Sequence, residues 1–178
     1  MTIEQVLYAI ASAFRERHQY GIAKTRLLKL AYLAEVYYKR LTGQRLTETP
    51  WIFWHYGPYV MEYPTILESG AFIIENEREF DSIIPFPDWD APKLQNDEEI
   101  SISRALKLAD EDFNELLDFV YFDTEPMMGA AQRGEVLDFD CVKPEQTYSV
   151  KNYVVSAKEQ KVIRKKLDEI RTRRNAGR

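Results

Sequence analysis

The chain has 178 residues, a length at which one compact domain buries roughly 70% of the surface its unfolded form exposes. It is 45% hydrophobic and 30% charged, no apolar run approaches the roughly 18 residues of a membrane span, and the Thr2-Ile3-Glu4-Gln5 start lacks the basic and apolar regions of a secretory signal. One cysteine, Cys141, excludes an internal disulfide and a thiolate metal cage, and the two histidines, His18 and His55, leave little for a zinc centre; neither metal nor cofactor is expected, and the expected location is the cytoplasm.

The net charge of −5 is unevenly spread. Residues Ser156 to Arg178 carry nine basic and three acidic side chains, a balance of +6, which leaves −11 on the first 155 residues. An acidic body disfavours nucleic-acid phosphates and favours basic partners, whereas the basic end has the opposite preference.

In chain order, Thr2 and Gln5 have capping-box spacing, and Ile3, Val6, Leu7, Ile10 and Phe14 recur at helical intervals, predicting a first helix to about His18 that Gly21 ends. A second helix starts near Ala23 with Leu27, Leu30, Ala31, Ala34, Tyr38 and Leu41 on one face, and stops at Gly43. Trp51 to Tyr56 is aromatic and β-branched, as in a short strand. Gly57-Pro58 breaks it, Pro58 opens a helix that Ser69-Gly70 closes, and Pro64 kinks or shortens that helix.

From Ala71 to Ile102 helical periodicity fails. Phe72 to Ile74 reads as one strand and Ile100 with Ile102 as another. Between them lie Pro85, Pro87 and Pro92, and residues 75–99 hold nine acidic and two basic side chains, which reads as an acidic surface excursion. Asp110 caps a further helix with Phe113, Leu116, Leu117, Val120 and Tyr121 inward, and Thr124-Glu125-Pro126 starts another that breaks near Gly134. Ser156 and Glu159 make a second capping box before a helix with Ile163, Leu167 and Ile170, whose last eight residues fray. The expected fold is α+β, a predominantly helical single domain with a small β element. Its body is residues 1–155, and 156–178 form a basic terminal helix.

Three separated segments carry a family resemblance. Arg26-Leu27-Leu28-Lys29-Leu30-Ala31-Tyr32, with Thr42-Gly43 after it, is similar to the Lys-Leu-Gln-Lys-Leu-Leu-Tyr helix and Thr-Gly turn of the Panacea domain family. Trp54-His55-Tyr56-Gly57-Pro58 resembles that family's Trp-Lys-Tyr-Gly-Pro, and Thr124-Glu125-Pro126 its Thr-His-x-x-Pro-x-Trp. The resemblance runs from about Ala23 to Gly134. Arg26, Leu28, His55 and Met127-Met128 depart from the usual residues, and the acidic excursion is longer than the family's spacing.

The resemblance implies a mainly helical antitoxin, of a kind found also in phage-associated proteins, that neutralises a toxin by direct binding. One type in the family instead hands its toxin to a protease. The toxin's gene is expected next to this one, and family members pair with many unrelated toxins.

Each candidate site has a second reading. Arg26, Lys29, Tyr32, Trp54, His55, Tyr56 and Tyr59 are the residues expected to meet a partner. Lys29, Arg26 and Arg40 fall largely opposite the apolar stripe of their helix, as surface charges do. The aromatics Trp51, Phe53, Trp54, Tyr56 and Tyr59 fit a hot spot or a core, and strand alternation gives half to each. Gly57, Pro58, Thr124 and Pro126 read as structural. His55 has no nucleophile beside it, so no catalytic residue is assigned, and Cys141 reads as a small buried residue. The carboxylates Asp110, Glu111, Asp112, Glu115, Asp118, Asp123 and Glu125 have no metal-loop spacing and read as a solvated face or a surface attracting a basic toxin.

Overall fold

In this computed structural model, which describes residues 1–76 and 80–145, helix α1 (Ile3–His18) opens on the expected capping box: Gln5 N donates to the Thr2 hydroxyl and Thr2 N to the Gln5 side chain. Its periodic residues are buried. It stops at Gln19, in the left-handed region at φ 65°, two residues before the expected Gly21. Strand β1 (Ile22–Ala23) leads into α2 (Lys24–Thr42), which ends at Gly43 as expected.

Helix α2 is the axis of the fold. Every residue from Leu27 to Val36 is buried, so the helix is enclosed on all sides rather than along one stripe. Helices α1, α4 (Asn96–Leu106) and α5 (Phe113–Phe122) all pack against it. Enclosure forces its polar residues to find internal partners. Glu35 accepts from the Leu46 amide, the Thr47 amide and hydroxyl, and Arg45 at 2.7 Å, which ties the following loop down onto the helix.

That loop delivers β2 (Ile52–Trp54), which pairs with β3 (Gly57–Tyr59) in an antiparallel hairpin whose turn is His55-Tyr56. Gly57 sits at φ +89°, a conformation other residues adopt only under strain and one that suits the twist of a tight hairpin. The expectation that Pro58 starts a helix is corrected. Phe53 donates its amide to Glu135 O and accepts from Gly134 N, so the rung it shares with Pro58 asks for no amide from the proline. Helix α3 begins instead at Tyr63 (Tyr63–Leu67), with Pro64 in its first turn where a missing amide costs nothing.

Strands β4 (Phe72–Asn76) and β5 (Asp81–Pro85) form a second hairpin, and β5 also pairs with β1, giving the order β1-β5-β4. The acidic stretch is therefore built into the fold. Trp89 stacks on Tyr8 at 4.4 Å, Tyr8 donates to the Phe86 carbonyl, and Leu94 packs on the core. Ile100 and Ile102 lie in α4, not in a strand. Its inner face is Glu98, Ser101, Ile102 and Ala105, a helical spacing occupied mostly by polar or small residues.

Helix α5 is capped by Asp112, whose carboxylate accepts from Asn114 N, while Asp110 pairs with Arg17. A short α6 (Glu125–Gly129) follows from Thr124. Cys141 is exposed, contrary to expectation. The expected terminal capping box and helix, 156–178, lie outside the described residues. The fold is α+β and predominantly helical.

Candidate partner-binding surface

Two of the separated segments singled out in the sequence meet α2. Lys29 is 2% exposed, and its Nζ donates to the Pro58 carbonyl at 2.8 Å. Pro58 can offer that carbonyl because its rung of the hairpin points both backbone groups away from β2. One helical turn on, the Tyr32 hydroxyl lies 2.9 Å from Thr124 Oγ1. Thr124 gives its own proton to the Val120 carbonyl at 2.6 Å, so Tyr32 is the donor to Thr124.

Further along, Arg40 pairs with Glu125 at 2.7 Å. Burial alone would raise the Glu125 carboxyl, but the Arg40 guanidinium together with backbone hydrogen bonds holds that carboxyl below its ordinary value. Arg26 donates to the Ala109 and Glu111 carbonyls at 2.8 Å and lies over the Phe113 ring, fastening α2 to the start of α5. Lys29 and Tyr32 are thus internal, and their expected exposure is corrected: helix α2 offers no solvent face at these positions. Desolvation lowers the Lys29 amine to about 7 and raises the Tyr32 phenol.

What this framework leaves outside is the tip of the β2–β3 hairpin. Trp54 is 38% exposed, Tyr56 is 74% exposed, and His55 between them is exposed and within 3.2 Å of an Arg133 guanidinium nitrogen. Tyr59 is half-buried against Tyr63. The hairpin leans on α5 through Tyr121, whose ring is 3.3 Å from where a Cβ on Gly57 would sit and edge-on to Phe53.

Beyond Tyr121, α5 exposes Phe119 at 37% and Phe122 at 69%, bordering an open hollow of about 470 Å³ shared with Glu111, Glu115, Asp118 and Asp123. Residues 109–132 include no lysine or arginine. Crowding shows in the Glu111 carboxyl, which the hydrogen bond its protonated form shares with the Glu115 carboxylate, with like charge adding, pushes above its ordinary value. Large apolar side chains held in water among carboxylates that have no ion pair among the described residues are what a basic partner with apolar contacts would bury.

The family model described as antitoxin SocA-like, Panacea domain, matches residues 27–174. The chain belongs to that family. No curated protein matches it, and no solved structure does. In this Panacea domain Lys29 and Tyr32 of α2 make two buried hydrogen bonds, one to the Gly-Pro corner and one to the threonine before α6. Sequence reasoning found these residues but assigned Lys29 and Tyr32 outward, because residue type cannot reveal that α2 is enclosed. It passed over Glu35 and over Phe119 and Phe122, whose exposure follows from Leu116 and Val120 taking the inward side of α5.

Among the described residues no group of three or more histidine, cysteine or acidic side chains is placed to hold a metal, and no helix is long and apolar enough to cross a membrane.

Proposed function

We propose that this Panacea domain is an antitoxin that works without catalysis, neutralising a basic toxin protein by binding it through the β2–β3 hairpin tip and the acidic, phenylalanine-bearing face of α5. The observation that carries the reading is the joint exposure of Trp54, Tyr56, Phe119 and Phe122 on elements linked by Tyr121. Aromatic side chains of this size supply most of the energy of protein interfaces when a partner dries them. The surrounding carboxylates would steer a basic partner and fix its orientation.

Occlusion is the mechanism proposed: a toxin seated on this surface loses access to its target. The test is co-expression with the product of the adjacent gene. Growth should be rescued by the native chain and lost with Trp54→Ala and Phe122→Ala, both of which should fold normally. A toxic neighbour that this chain neither binds nor neutralises would sink the proposal.

A further inference from the structure

Beneath Trp54 and Tyr56, on the side of the hairpin that faces α2, lies a cleft of about 120 Å³. Trp54, Tyr56, Tyr59 and Tyr63 give it aromatic walls, Lys24 and Thr25 stand at the start of α2, and Lys29 is the charged member among its buried lining residues, which include Leu28 and Tyr63. Gly57 and Tyr59 line it on either side of Pro58, so the amine bound to the Pro58 carbonyl lies against the strand that forms the wall. A cleft this small admits a side chain, not a drug-sized ligand, whose pockets begin near roughly 300 Å³.

The chemistry of the cleft is one-sided. A lysine ammonium has three donors, and among the described residues the Pro58 carbonyl is the acceptor Lys29 has. No carboxylate lines the cleft; the titratable groups facing Lys29 are Lys24, on its own helix and 3.7 Å from Asp81, and the phenols of Tyr56, Tyr59 and Tyr63. Tyr63 donates its hydroxyl to the Lys24 carbonyl and is held far from ionising by burial. The site can thus reward a negative group and has nothing to neutralise a positive one.

We propose that this cleft accepts a carboxylate side chain, aspartate or glutamate, from the protein bound at the hairpin tip, with Lys29 donating to that carboxylate and to Pro58 together. The inference rests on the partner-binding reading above and adds a specificity element to it. On a body whose net charge is acidic, an enclosed cleft with a lysine in its lining fixes the register of an otherwise basic partner. Burial holds the Lys29 amine near 7, so the carboxylate binds with uptake of a proton and more tightly on the acid side of neutrality.

The test uses sodium acetate as the carboxylate probe on the full chain. The Lys29 ε-methylene NMR signal, assigned by its loss in Lys29→Met, is followed during addition of acetate against sodium chloride of equal ionic strength. A saturable shift with acetate alone is expected, tighter by on the order of tenfold or more at about pH 6 than at about pH 9. It should be lost in Tyr56→Ala, which removes an exposed wall and keeps the lysine should Lys29→Met fail to fold. A response equal to that of chloride, an affinity independent of pH, or one unchanged in Tyr56→Ala overturns the proposal. Toxin neutralisation is scored separately: acetate binding without neutralisation supports the carboxylate site and removes the antitoxin reading, and neutralisation without acetate binding removes the site alone.

Discussion

The Lys29 ammonium and the Pro58 carbonyl meet at 2.8 Å across 29 residues of sequence, joining an enclosed helix to the corner of a hairpin with an exposed tip. This single bond makes the placement of the hairpin tip depend on a group that is costly to bury. The amine responds by giving up its proton readily, with a folded value near 7 against an ordinary 10.5.

A pH dependence of stability follows. Between these two values the unfolded chain holds a proton at Lys29 that the folded chain has released, so stability rises as pH rises from about 7. Above about pH 9 the trend is opposed, because burial keeps Tyr32 and Tyr63 protonated in the fold after they ionise in the unfolded chain. The urea midpoint should climb from about pH 7 to 9, and Lys29→Met should flatten that climb.

The Tyr32 and Thr124 hydroxyls should be energetically coupled. Tyr32→Phe and Thr124→Val each leave a buried polar group without its partner and should cost about 1–3 kcal/mol in chemical denaturation. The double variant should cost less than the sum by about 0.5 kcal/mol or more. Strict additivity would mean the bond contributes nothing to the fold.

Gly57→Ala should destabilise by about 1–3 kcal/mol, since φ +89° strains any side-chain-bearing residue and the new methyl meets Tyr121 at 3.3 Å. Tyr121→Ala in the same chain should relieve the contact and not the torsion, so most of the loss in thermal midpoint should persist.

Charge on α5 should act on rate. Association with a basic partner should slow as salt is raised, and replacing Glu111, Glu115 and Asp118 by their amides should shrink that salt dependence more than it changes dissociation. Stopped-flow mixing across ionic strengths measures both.

Helices α1, α2 and α5 were located because their inward residues are apolar and periodic, and α6 because Thr124-Glu125-Pro126 is a helix start. Helix α4 escaped because its inward face is Glu98, Ser101, Ile102 and Ala105, while Ile100 and Ile102 mimic a strand. Pro58 was misplaced for a different reason: Gly-Pro satisfies the local rules for a helix start, and what makes it a strand is the bonding of Phe53 to residues 134 and 135, a long-range fact. For the candidate site, strand alternation told that half of the aromatics from 51 to 59 would face outward but not which half, and Tyr56 owes its exposure to the turn. The burial of Lys29 was not legible, because a residue type that is almost always outside gives no hint when its helix is enclosed.

The antitoxin reading places most of the hold on the toxin in the exposed aromatics of the hairpin tip and of α5. It is tested most directly by titrating the purified product of the adjacent gene into the native chain and into a Trp54→Ala, Phe122→Ala double variant, with thermal midpoints measured alongside. The account predicts binding by the native chain, a loss of at least about hundredfold in the variant, and midpoints that barely differ. Equal binding by both chains, or none by either, would contradict it.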